Sequence, residues 1–271
     1  MTTTESSMHP LTCEQLTLGY DKTTIINALD LAIEPNQITV LVGGNGCGKS
    51  TLLKSLARLL KPTSGEIFLY DQKLLQQSGK EVARKLAILP QGPIAPEGLT
   101  VEQLVRQGRY PHQNWLQSWT EQDEQLVQKA LRDTNMQDFA ERPIEALSGG
   151  QRQRAWIAMA LAQDTEILLL DEPTTYLDLT HQIEILDLLF ELNRTQNTTI
   201  LMVLHDLNLA CRYAHQMVAV KQGKVFCQGA PEQILDFDMV KSVFDMECHI
   251  TQDPLFGTPM CIPFGKGRKV G

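Results

Sequence analysis

No stretch of this 271-residue sequence approaches the ~20 apolar residues that a membrane-spanning helix requires. The short apolar stretches Ile38–Val42 and Ile167–Leu170 have the length of buried strands. Any membrane role is therefore expected to come through a partner. Met1 to Pro10 is polar, with no basic start and no apolar core, so no secretory signal is expected there. Cysteine pairing is also lacking. Cys13, Cys47, Cys211, Cys227, Cys248 and Cys261 are scattered with no C-x-x-C spacing, which reads as reduced thiols, not a disulfide framework. Positive charge is in deficit, with 24 Lys and Arg against 32 Asp and Glu. A net charge of −8 argues against nucleic acid as the main partner. The sequence has no internal repeat, no low-complexity segment and no Asn-Lys-x-Asp guanine motif.

What is present is an alternation of strands and helices with one interruption. Residues 11–42 read as β structure. Lys49–Leu60 reads as a helix with Leu52, Leu53, Leu56, Leu59 and Leu60 on one face, stopped by Pro62 and Gly65. Glu66–Tyr70 and Lys85–Leu89 read as strands. The segment Gln91 to Pro96 is then rich in breakers. Thr100-Val101-Glu102-Gln103 has the form of a capping box opening a helix. Thr120–Met136 reads as an amphipathic helix, acidic in its first turn, with Leu126, Val127, Ala130 and Leu131 inward. Between them, Arg109–Trp119 is aromatic and irregular. Residues 92–163 are thus expected to form a mainly helical insertion. Afterwards the alternation resumes: strand Ile167–Leu170, helix Thr180–Asn193, strand Thr199–Leu204, helix Leu207–Ala214 and strand Gln216–Val220. Such alternation predicts an α/β fold with a mainly parallel sheet. Gly265–Gly271 is expected to be a loose basic tail.

Two motifs carry chemistry. Gly43-Gly44-Asn45-Gly46-Cys47-Gly48-Lys49-Ser50 fills every fixed position of the phosphate-loop pattern, after one predicted strand and at the start of a predicted helix. Glycines let successive N–H groups approach phosphate oxygens, and the helix N-terminus adds partial positive charge. Lys49 would meet the β- and γ-phosphates, Ser50 a Mg²⁺ ion, and Thr51 a further phosphate oxygen. The strand Ile167–Leu170 ends in Asp171-Glu172. At the carboxyl edge of a parallel sheet, Asp171 is placed to hold Mg²⁺ and Glu172 to polarise an attacking water.

With Leu147-Ser148-Gly149-Gly150-Gln151-Arg152 added, the order of motifs resembles the ATP-binding cassette (ABC) family over nearly the whole chain. The resemblance implies a P-loop NTPase, RecA-like core with an antiparallel β subdomain. It implies a single ATPase domain over 1–271, with a core lobe of 1–91 and 164–271 and a helical subdomain over about 92–163. It implies ATP and Mg²⁺ as cofactors, with Gln91 contacting Mg²⁺ and the attacking water, and His205 contacting the γ-phosphate. It gives Tyr20 the place of the residue stacked on adenine. It has Ser148, Gly149, Gly150 and Gln151 close over the ATP of a second copy, and Asp178 link the two sites of that homodimer. One departure is Gly44, where the family usually has proline.

A closer resemblance is to importer ATPases for ferric siderophores, haem and vitamin B12. It rests on Ala83–Gln91, Gly108–His112, Thr174–Gln182, Leu204–Ala214 and, for siderophores of catecholate type, Asp253–Pro259. The partners implied are integral membrane permease subunits and, indirectly, a periplasmic binding protein, at the cytoplasmic face of the bacterial inner membrane. The segment near Tyr110, Trp115 and Trp119 is a candidate contact surface. The competing classes are a non-transport cassette such as an iron–sulfur assembly subunit, a phosphate-loop kinase or GTPase, and a dead regulatory module. The signature run counts against the second and the intact Glu172 against the third.

Overall fold

The protein is described from a computed structural model over residues 9–21, 23–93, 95–113 and 119–266. The chain opens with an antiparallel pair, β1 (Leu11–Tyr20) and β2 (Thr23–Ile33). The fully buried β3 (Ile38–Val42) follows and runs through the glycine loop into α1 (Lys49–Leu56). Next come β4 (Ser64–Leu69), β5 (Gln72–Lys73), α2 (Gly79–Ala83) and β6 (Leu86–Leu89). Three helices form the insertion: α3 (Val101–Gln107), α4 (Glu121–Asp133) and α5 (Gly149–Ala162). The alternation resumes with β7 (Ile167–Leu170), α6 (Leu179–Gln196), β8 (Thr199–Val203), α7 (Leu207–Tyr213) and β9 (Gln216–Lys221). The chain continues through β10 (Lys224–Gly229), α8 (Pro231–Ile234), α9 (Phe237–Phe244) and a hairpin of β11 (Cys248–Gln252) with β12 (Pro259–Pro263).

The central sheet has the order β10-β9-β3-β8-β7-β6, parallel except for β10. A separate antiparallel sheet has the order β2-β1-β4-β5. Strand periodicity splits the central sheet between two cores. Leu41, Leu169, Leu201 and Val218 face α1 and the antiparallel sheet. Val40, Val42, Leu170 and Met202 belong to the core shared with the inserted helices, α6 and α7. Both faces are therefore covered, which is why these short strands read as continuous apolar runs. Glycine loop, Gln91, Asp171-Glu172 and His205 leave the carboxyl ends of β3, β6, β7 and β8, the edge where open parallel sheets bind ligands.

Several local expectations need correction. The helix expected to reach Leu60 stops at Leu56. Arg58 turns left-handed (φ 62°), and the N–H groups of Leu59 and Leu60 both donate to the Lys54 carbonyl. Leu59 is consequently exposed. The helix expected over Thr120–Met136 spans Glu121–Asp133, capped by Thr120, with Asn135 left-handed beyond its end. Trp115 and Ile94 lie outside the described residues, as do residues 267–271 of the expected tail. No helix among the described residues is long and apolar enough to cross a membrane.

Candidate phosphate-binding and hydrolytic site

The glycine loop is shaped by three left-handed residues: Gly43 (φ 150°), Gly46 (φ 73°) and Gly48 (φ 109°). At Gly48 a β-carbon would stand 2.5 Å from Ile26 Cδ1, so neither the conformation nor the space admits a side chain. Lys49 is 5% exposed, and its Nζ donates to the carbonyls of Gly43 (2.8 Å) and Gly44 (3.0 Å). Buried Cys47 lies beneath it, its Sγ 3.6 Å from that Nζ. The start of α1 carries no side-chain cap. Its first N–H groups lack an intrahelical partner and are available to an anion.

A cavity of about 180 Å³ opens on this loop. Asn45, Gly46, Gly48, Lys49, Ser50 and Thr51 form one wall, Glu172 and His205 stand opposite, and Ile25 closes one side. Ser50 Oγ donates to Asp171 Oδ1 at 2.8 Å. Asp171 is 3% exposed. Burial pushes its carboxyl above the usual range, the Ser50 hydrogen bond opposes this, and the neighbouring Glu172 charge adds to it. A hydroxyl and a desolvated carboxylate in contact are hard oxygen donors that suit Mg²⁺, and a cation there would relieve the cost of burying Asp171.

Glu172 follows β7 in a left-handed conformation (φ 53°). His205 Nε2 lies 2.6 Å from its Oε1, while Gln91 Nε2 and Thr175 Oγ1 both donate to its Oε2, the latter at 2.9 Å. Loops from β6, β7 and β8 thus converge on one carboxylate, fixing its plane and leaving it facing the loop's cavity. Gln91 and Glu172 also line a second cleft, of about 300 Å³, whose far wall is Gly149, Arg152 and Gln153 of α5.

Other expected site residues stand elsewhere. Tyr20 ends β1, is 45% exposed and does not line the phosphate cavity; Ile25 of the same hairpin does. Ser148 caps α5 through a full capping box. Its side chain accepts from Gln151 N (3.3 Å), and Gln151 Oε1 accepts from Ser148 N (3.1 Å). Asp178 caps α6. None of Ser148, Gly149, Gly150, Gln151 or Asp178 lines the cavity on the phosphate loop. The chain assembles the loop, Asp171, Glu172, Gln91 and His205 in one place; Gly149 and Arg152 of the signature run face Gln91 and Glu172 across the second cleft, and none of the run lines the phosphate cavity. Sequence reasoning gave no role to Ile25, Thr175 or His181. The signal for Thr175 and His181 was a polar residue three positions after a key carboxylate.

The sequence profile of the ABC transporter family matches residues 26–175, from β2 through Thr175. This chain belongs to that family. Among similar proteins of the ABC family is the petrobactin import ATP-binding protein FpuD of Bacillus anthracis, 64% identical over 96% of this chain and 95% of its own. The achromobactin transport ATP-binding protein CbrD of Dickeya dadantii is 62% identical over 96% and 97%. The ferric enterobactin transport ATP-binding protein FepC of Escherichia coli is 47% identical over 93% of each chain. Among solved structures, an inward-facing metal-chelate type ABC transporter superposes with a TM-score of 0.82, at 30% identity, over 95% of this chain and 98% of that one. The α/β P-loop fold and the capacity to bind and hydrolyse ATP are those of this ABC family.

Proposed function

We propose that the chain is the ATP-hydrolysing subunit of a bacterial importer for ferric siderophores, and that two copies work beneath membrane permease subunits fed by a periplasmic binding protein. The observation that carries the hydrolytic reading is the Glu172 carboxylate, held by Gln91, Thr175 and His205 across the cavity from Lys49. The transport reading is supported by relatives named for petrobactin, achromobactin and enterobactin.

The steps follow from the residues. The loop N–H groups and Lys49 bind and orient the triphosphate in the cavity they line. Ser50 and Asp171 are the residues that would hold Mg²⁺, which when bound neutralises phosphate charge as a Lewis acid. Glu172 takes up proton density from the attacking water, and His205, bonded to its other oxygen, is carried by the same carboxylate toward the γ-phosphate. Catalysis on this reading is alignment plus electrostatics. Ser148 and the first turn of α5 act on the ATP of the second copy, since their own chain gives them no phosphate to meet. Asp178 joins the two sites across that homodimer, and Tyr20 lies along the adenine.

The transport reading is tested by uptake. A strain lacking this chain is offered radioactive ferric iron on one siderophore at a time, catecholate and non-catecholate. Loss of uptake for one chelate, restored by the intact gene but not by Glu172→Gln, is expected. Uptake unaffected for every siderophore, with loss for haem or vitamin B12, overturns the substrate while leaving the ATPase reading standing.

A further inference from the structure

We propose that His181 is a positioning residue, a strut that fixes the first turn of α5 against the start of α6 and so sets where Ser148 and Asp178 stand on the face offered to a second copy. The proposal rests on the reading that Ser148–Gln151 acts across a homodimer.

Asp178 Oδ1 accepts two bonds from His181, from its backbone N at 2.9 Å and from its ring Nδ1 at 2.7 Å. The carboxylate only accepts, so Nδ1 carries the proton and the ring is held in one orientation. The opposite side of that ring lies against α5. A β-carbon at Gly150 would fall 2.2 Å from His181 Cδ2, 2.8 Å from Cγ and 3.1 Å from Nε2. Gly150 has no left-handed backbone to explain its glycine. Near a helix start, glycine weakens the helix relative to alanine, by up to about 1 kcal/mol in an interior position. What glycine provides here is room for the imidazole. The contact is not isolated. One turn further along both helices, Arg154 Nη2 meets Glu184 Oε2 at 2.9 Å, and just ahead of the contact Gly149 lies beside Leu177.

The two helices therefore run parallel with their N-termini side by side, and the His181 ring is the spacer between them. Two positive helix ends placed together repel, and Asp178 supplies the compensating charge. Both of its Oδ1 bonds remain within the chain, while the residue itself stays exposed. Without the ring, α5 is free to slide toward α6. A displacement on the order of 1 Å at groups that must meet a phosphate costs up to about a hundredfold in rate.

The test separates positioning from folding. Ser148→Arg and His181→Ala are each placed in a Glu172→Gln background, where bound ATP persists. Two quantities are read: ATP affinity of the separated chains, and ATP-driven dimer formation by sedimentation. His181→Ala is expected to leave single-chain ATP affinity unchanged, to weaken dimer formation about tenfold or more, and in the Glu172 parent to lower kcat with little change in KM. His181→Ala is also expected to recover part of the dimerisation lost in Gly150→Ala, because the added methyl then has space. Unchanged dimerisation in His181→Ala, or a parallel loss of ATP affinity and thermal stability, overturns the strut. If His181→Ala does not fold, His181→Phe keeps the ring and removes the Asp178 bond, and the same two readings decide. Ser148→Arg is the control. If it dimerises normally the trans reading itself fails, and if it alone is defective only the strut fails.

Discussion

Two glycine-rich segments in this chain each open a helix, and they are built in opposite ways. Gly43–Gly48 leads into α1, whose N-terminus has no side-chain cap and faces a cavity walled by its own chain. Ser148–Gly150 leads into α5, whose N-terminus is closed by a full capping box and lines no part of that cavity. Just past the first segment, the Lys49 side chain folds back onto the Gly43 and Gly44 carbonyls and the Ser50 side chain reaches Asp171 after β7. In the second, Ser148 and Gln151 bond only to each other. A helix start left uncapped inside a formed pocket is prepared for an anion its own chain will bind. A helix start that is locally self-sufficient keeps Gly149 and Gly150 N–H groups for something brought from outside. The difference supports the proposed division, in which one half of the chemistry is assembled within a single chain and the other is offered to a second one.

The largest effect is expected at the complete half. Glu172→Gln keeps the shape and the Gln91, Thr175 and His205 neighbours but removes the proposed base. Turnover should fall by about 10²–10⁴-fold, with ATP affinity retained, as read by single-turnover kinetics and equilibrium nucleotide binding. Full turnover in this variant would mean that the base lies elsewhere.

Breaking the other half separately tests the comparison directly. Lys49→Ala and Ser148→Arg chains should each be inactive alone, the first for want of phosphate binding and the second for want of a partner's closure. Mixed, they form dimers holding one intact composite site in two, and ATPase activity should reappear. Dimers that form without recovery would show that the signature does not act across the interface or that the two sites fire only together.

The comparison also shows what was legible in the sequence. The central sheet was readable because β3, β7 and β8 are buried on both faces, which leaves strands apolar at all but Thr39 and Thr199. The phosphate loop and Asp171-Glu172 were readable because their chemistry is dense in sequence. Less legible was whatever depends on one residue meeting another far away. The end of α1 is set by a left-handed Arg58, a conformation no pattern predicts. The elements after β9, from β10 to β12, are short and went unread; β10 pairs with β9, β11 with β12, and Asn208 of α7 ties the hairpin down through two bonds to Cys261. Thr175 and His181 are ordinary polar residues until the fold brings Glu172 and Gly150 to them. Tyr20 shows the converse, a residue singled out by its place in the family order that ends its strand outside the cavity lining.

A smaller effect concerns how the signature helix is held at its far end. Arg109 donates to the Ala162 carbonyl at the end of α5 and to Asp123 of α4 at 2.9 Å, with both side chains buried. Burial alone would push the Asp123 carboxyl up, but hydrogen bonds from Thr120 and Arg109 outweigh it and hold the group below its usual range. A depressed carboxylate contributes stability that is present above its unfolded value and is lost as pH falls through the folded one. Asp123→Ala, which strands the Arg109 charge, should cost about 3–5 kcal/mol. The thermal unfolding midpoint of the parent should fall on acidification, and Asp123→Asn should flatten that dependence. An unchanged acid limb would remove Asp123 from this account.

The smallest effect is at Gly44, where the phosphate loop departs from its family. The Gly44 carbonyl accepts from Cys47 N (3.3 Å) and Lys49 Nζ (3.0 Å), so its conformation is already determined by the loop. A β-carbon there would meet only the Val243 carbonyl, at 3.6 Å, an ordinary contact, and the backbone is not left-handed. Nothing in the fold requires glycine at this position. Its cost lies in the unfolded chain, where glycine samples more conformations than proline. Gly44→Pro should therefore raise stability by about 0.4–1 kcal/mol. Because the folded loop already holds that conformation, ATP affinity should stay within about twofold of the parent's. Calorimetric unfolding and nucleotide titration measure the two together. The signature run, which shares no bond with Gly44, should be untouched, so the mixing experiment repeated with Gly44→Pro in the Ser148→Arg chain should recover the same ATPase activity as without the proline. A recovered activity changed several-fold in either direction would show that the residue at this position, and not only the bonds around it, shapes the loop that binds ATP.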